Sequence, residues 1–212
     1  MTDVEPEAPP SPEAPDEAPP PALRRPLAAA ICGAAIVAAA ALPITPDGRS
    51  FVSLLLAEFH RGLLEGILML SGFGSPFLFG LAVAAAGAGQ AMGSSDRHKL
   101  ARELVRAPIG LLHGQLLLVA FVVWRHGQAV AALPLLAFAI AGAAVYVRAG
   151  MAAPGGRTLA LEPTVRWGAT VVAGVAGWCR LQHLAGVHLG RAVDVVLVAA
   201  VLLVLVTRPR RA

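Results

Sequence analysis

Charge is scarce in this 212-residue chain: Asp, Glu, Lys and Arg make up 14% of it, while 57% is hydrophobic. A water-soluble domain carries about a quarter charged residues, so an ordinary soluble domain is excluded. Cysteine occurs twice, at Cys32 and Cys179, each inside an apolar run and without CxxC spacing, which excludes a disulfide framework and a cysteine zinc site. No phosphate-cradling glycine loop, HExxH helix or GxSxG turn occurs, so no conventional signature of an enzyme is present. Lysine is nearly missing, Lys99 standing beside sixteen arginines. The sequence pI near 10 does not point to nucleic acid. The bases lie in short clusters between apolar runs, where positive charge orients membrane helices.

What is present is a tail followed by apolar runs. Residues 1–26 hold nine of the seventeen prolines, six acids and two arginines. Such a segment cannot bury apolar surface, and its composition predicts a disordered cytoplasmic spacer with some polyproline II character. Its PxxP spacings, Pro6 to Pro9 and Pro12 to Pro15, arise readily in any proline-rich tail. Arg24 and Arg25 then precede an alanine-rich run over 27–44, long enough for one crossing. The long acidic leader and the further apolar segments favour an uncleaved signal anchor over a cleaved signal peptide. Within it, Ala30, Ala34 and Ala38 form a small-residue stripe suited to close helix packing.

The stretch 50–90 is helix-compatible and too long for one crossing. Residues 51–61 are expected along the membrane interface, with 62–90 crossing once, tilted or kinked near Gly72, Gly74 and Pro76. A hairpin at that break is the competing pattern. It is disfavoured because the basic stretch 92–107, with Arg97, Lys99, Arg102 and Arg106, would then lie outside. Further spans read as 109–124, opened by Pro108, then 129–147, 167–186 and 192–207. Twelve of the seventeen bases then fall on the inner side. The expected fold is an all-α integral membrane protein with six transmembrane helices and both termini cytoplasmic. The membrane domain covers 27–207 and a basic C-terminus covers 208–212. Five helices result if 167–186, interrupted by Arg180, Gln182 and His183, fails to cross. A bacterial inner membrane fits the preference for arginine and alanine.

Ionisable groups within spans are costly and are the default functional candidates. Helix rise places Glu65, Arg180 and Asp194 at similar depth in the outer third, with His183 one turn from Arg180. These residues, together with the broken backbone at Gly72, Gly74 and Pro76, form the candidate cavity. Discontinuous helices of this kind build midplane binding sites in transporters. The plainer alternatives are an Arg180 ion pair that fixes helix packing, a local Arg61–Glu65 pair, and a continuous kinked helix. His113 and His126 lack the partner histidines for haem, and a metal site from His60, His183, His188 and Glu65 would require several outer loops to converge. No cofactor is expected. His113, beside Gln115, reads as an interhelical hydrogen-bonding residue.

Three functions follow. The favoured one is a transport or permease-like protein, or a membrane-complex subunit, with an outer polar cavity. The second is a structural or interaction membrane protein whose charges only hold helices together. The third is an enzyme acting on a lipid-linked substrate through Glu65 or Asp194 beside His183. The expected partners are the lipid bilayer and a membrane-protein partner or a second copy of the chain, with no nucleic acid.

Overall fold

The computed structural model describes residues 23–92, 98–125, 127–151, 161–184 and 190–208. The proposed tail up to residue 22, the extreme C-terminus, His126 and His188 lie outside them. The described residues form eight helices: α1 (Pro26–Ala39), α2 (Phe51–Arg61), α3 (Leu63–Phe73), α4 (Ser75–Ala91), α5 (His98–Arg125), α6 (Ala129–Met151), α7 (Leu161–Leu184) and α8 (Arg191–Val206). The fold is all-helical. Its extended pairing among these residues is the single bridge between Pro43 and Ser50.

Local chemistry accounts for the boundaries. Pro26 and Pro76 fall in the first turns of α1 and α4, where a missing backbone N–H costs nothing. Ser50 caps α2, its hydroxyl accepting the Ser53 N–H at 3.2 Å. The turn between α1 and α2 is tied by Ile44 N–H to Arg49 C=O at 2.8 Å and closed at Gly48, whose φ is +80°. α1 therefore ends at Ala39, short of the expected residue 44. The α2–α3 boundary falls at Gly62, where an interfacial segment was expected to give way to a span.

Five helices close a ring. α1 lies between α4 and α8, α4 reaches α5, α5 reaches α7, and α7 returns to α8. α6 packs on α5 from outside and touches α7. Fully buried Phe79 of α4 fills the middle, its ring against Gly168 of α7 and near Ile109 of α5. The tightest seam joins α1 to α4. A methyl group on Gly33 would stand 2.5 Å from the Gly80 carbonyl oxygen and 2.6 Å from the Ala84 nitrogen, and one on Gly87 would stand 2.8 Å from the Ala30 nitrogen. Small residues thus let the two backbones touch. Of the expected stripe, Ala30 faces this seam, while Ala34 and Ala38 are exposed. Gly33, buried, determines the packing face instead.

The exterior is strongly apolar. Leu27 and Ile31 of α1, Leu63 and Leu68 of α3, Leu118 of α5, and Leu133 and Ile140 of α6 are each more than half exposed. Among the described residues, Leu104–Arg125 within α5 is long and apolar enough to cross a bilayer by itself. α3 and α4 reach that length together but are bent by 75° at Gly74, and Pro26–Ala39 and Ala129–Gly142 are apolar but shorter.

Two helices run further than the sequence reading placed them. Pro108 sits inside α5 rather than at its start. Residues 98–107 are α5's opening turns. Val105, three residues before the proline, and Ile109, directly after it, are both fully buried, so this part of α5 is packed into the bundle. α7 continues through Arg180 for 24 residues, about 36 Å at helical rise.

Candidate functional site

Arg180 and Asp194 meet. Arg180 Nε stands 3.1 Å from Asp194 Oδ1, joining α7 to the first turn of α8, with both side chains a little under half exposed. Antiparallel neighbours bring residue 180 of a rising helix level with residue 194 of a descending one. Gly177, one turn below Arg180, faces Leu197 of α8 and leaves room for the approach. His183 belongs to α7 one turn further on, but its side chain lies outside the described residues.

Glu65 does not join this pair. It is exposed near the start of α3 and turns its carboxylate back over Gly62. α3 packs against α2, α4 and α5 rather than α7 or α8. Arg61, the local partner considered for Glu65, instead bonds Glu58 at 3.0 Å. Gly62 is the reason. The extended backbone there, with φ 174°, ends α2, so residues 61 and 65 no longer share a helix face. The three-charge constellation thus reduces to one ion pair.

The backbone break lies where the sequence puts it, between Gly72 and Pro76, but as a sharp bend rather than a gentle kink. α2 and α3 leave the bundle and return to it: the Phe51 ring, at the start of α2, lies 4.8 Å from that of Phe77, at the start of α4. At the bend, Gly74 and Ser75 are buried, and the Ser75 hydroxyl donates to Gln115 Oε1 of α5. Gln115 is eleven residues from Leu104 and ten from Arg125, so the bend abuts the middle of α5's apolar stretch. Ser75 was not among the sequence candidates. Its signal was a hydroxyl directly following Gly74 in a chain segment that has lost helical partners.

A second polar contact lies on the other side of α5. Buried His113 bonds the Ile109 carbonyl through Nδ1 at 2.6 Å, and its Nε2 accepts the Trp167 Nε1–H at 3.3 Å. The imidazole and indole planes are within 8° of parallel, with ring centroids 6.2 Å apart. Gly142 of α6 sits against the same imidazole, where a Cβ would overlap the ring. His113 therefore joins α5 to α6 and α7. Trp167 is thus an interhelical donor.

The opposite end of the bundle gathers other polar groups. Arg24 Nε approaches Glu162 Oε2 at 3.8 Å, Gln90 accepts the Leu23 N–H at 2.9 Å, and Arg166 donates to the Thr207 carbonyl at 3.1 Å, capping the end of α8. Outside the helices, the neighbouring Thr45 hydroxyl, with Arg49 adding its charge, holds the Asp47 carboxyl below its usual range. Among the described residues, no three His, Cys, Asp or Glu side chains converge to hold a metal; His60 is exposed and bonds the Leu56 carbonyl at 2.7 Å. Two apolar grooves mark the surface. One, of about 350 Å³, lies between α1 and α8 with Asp194 at its edge; the other, of about 420 Å³, lies between α5 and α6. No family model, curated protein or solved structure matches the chain.

Proposed function

We propose that this chain is a multi-pass membrane protein of six crossings, with both termini cytoplasmic, acting as a non-catalytic helical subunit of a membrane complex. The crossings are α1, the bent α3–α4 pair, α5, α6, α7 and α8. The apolar exterior supports embedding, because contiguous exposed apolar surface on this scale marks contact with lipid or another protein. Charge supports the orientation. Arg24, Arg166 and Arg208 cluster at one end through the Arg24–Glu162 and Arg166–Thr207 contacts, whereas Arg180 and Arg191 lie at the other. A bacterial inner membrane is the proposed setting.

One observation supports the choice of a subunit: three pairs of polar side chains within the apolar helices are engaged with one another across helices. Arg180 holds Asp194, Ser75 holds Gln115, and Trp167 holds His113. Such contacts hold helices together in lipid. A charge-reversal cycle tests this reading. Arg180→Glu and Asp194→Arg each lower the amount of folded protein in membranes, and the double exchange restores it. Full abundance in every variant overturns a packing role for the pair.

A permease-like activity is a second reading, and the 75° bend beside the middle of α5 favours it. On that reading, Ser75→Ala changes uptake of a small solute without altering abundance. On the packing reading, abundance falls instead.

A further inference from the structure

The hydrogen bonds of His113 fix its protonation state. The Ile109 carbonyl, 2.6 Å from Nδ1, can only accept, so Nδ1 carries a proton. The Trp167 indole N–H, 3.3 Å from Nε2, can only donate, so Nε2 presents its lone pair. The ring that satisfies both is the neutral Nδ1–H tautomer. A second proton has to go on Nε2, where it meets the indole N–H donor against donor. The imidazole is buried, and the α6 backbone closes its Nε2 edge, since a Cβ on Gly142 would overlap that nitrogen. The ring cannot draw back towards α6, so the half-buried indole of α7 is the partner that moves.

The helices packed on α5 are α3, α4, α6 and α7. α4 has no ionisable side chain, and Glu65 of α3 turns back over Gly62. On α6 the ionisable residues are Tyr146 and Arg148, four and six positions beyond Gly142. On α7 Glu162 faces Arg24 and Arg166 donates to the Thr207 carbonyl, while Cys179, Arg180 and His183 lie more than three turns beyond Trp167. On α5 itself Arg106 comes two turns before His113. His98, Lys99, Arg102 and Glu103 come earlier still, and Arg125 ends the helix. The group in line with Nε2 is the neutral indole.

We infer that His113 is an acid-sensitive clasp: as the neutral Nδ1–H tautomer it holds α5 to α7, and a proton gained at Nε2 releases Trp167 and loosens the two helices. Histidine is the side chain whose charge ordinarily changes between about pH 5 and 8. The clasp is closed on the alkaline side of that range and opens as pH falls. It depends on the packing of α5 against α7 and not on the membrane setting.

The test uses the full-length protein purified in detergent, with Trp124→Phe and Trp178→Phe leaving Trp167 as the sole tryptophan. Its emission is followed from about pH 8 to about pH 5. The emission moves to the red in one step that reverses when the pH is restored. His113→Gln, which keeps an acceptor but does not titrate, abolishes the step. His60→Gln, at an exposed histidine bonded to the Leu56 carbonyl, retains it. In thermal unfolding, the midpoint of the protein with His113 intact falls across this range by about 2–4 °C more than that of His113→Gln. Emission that stays unchanged with His113 intact overturns the clasp, whether or not His113→Gln folds. A step that His113→Gln retains in full overturns it too, by assigning the titration to another group.

Discussion

Gly33 of α1 and Gly80 of α4 face each other across the closest helix seam in the described bundle: a methyl group on Gly33 would lie 2.5 Å from the Gly80 carbonyl oxygen. The obstacle is backbone, which cannot rotate aside as a side chain can. Gly33→Ala is therefore expected to push α1 from α4 and cost about 1–3 kcal/mol, the usual range for overpacking. Ala34→Leu, on the exposed face of the same helix, should be close to neutral. Thermal unfolding of both variants in detergent checks this; equal midpoints for the two would contradict the seam.

The contact between His113 and Gly142 can be tested by exchange of volume. Gly142→Ala alone places a methyl group where the imidazole lies, and should destabilise by roughly 1–3 kcal/mol. In a His113→Ala background the same change should be nearly free, because the space is then vacant. The coupling is read from a double-mutant cycle. Additive effects would mean that the ring does not occupy that space.

Ser75 and Gln115 hold the bend between α3 and α4 against α5. Ser75→Ala should cost on the order of 0.5–1.5 kcal/mol, the scale of one interhelical hydrogen bond in a membrane protein. Gln115→Leu should add little to it. A full second loss on adding Gln115→Leu, again by thermal unfolding, would show that the two side chains act separately.

Asp47 supplies a pH prediction. Its carboxyl is held below the usual value, first by the Thr45 hydroxyl and then by the charge of Arg49, whose Nε is 2.8 Å away. A depressed folded-state pKa contributes stability that is present above the ordinary carboxylate pKa and lost as pH falls through the lowered one. Thr45→Val should raise the Asp47 titration midpoint towards the ordinary value, as followed by carboxyl NMR. An unmoved midpoint would remove Thr45 as the cause.

The sequence made the helical class legible through its apolar runs, and helix rise put Arg180 and Asp194 at one depth, but which charges meet was open until the structure joined these two. It also located the boundary at Gly62 and the break at Gly74, because glycine and proline punctuate an otherwise uniform pattern. Depth, however, says nothing of azimuth. Glu65 shares the depth of the ion pair by counting, but the bend at Gly74 carries α3 to the side of α5 and away from α7 and α8. Alanine is so common in α1 that its spacing could not reveal the packing face, which Gly33 determines instead. The partners of Ser75 and His113 depend on which sides of α5 meet α4, α6 and α7, a relationship set by tertiary packing.

The most direct test of the proposed membrane topology uses sidedness reporters inserted after residues 48, 94, 127, 155, 187 and 212. Six crossings with both termini cytoplasmic predict reporters that alternate outside and inside in that order, on a protein that resists alkaline extraction. Reporters at 48 and 94 on the same side, or a chain released from the membrane by alkali, would contradict it.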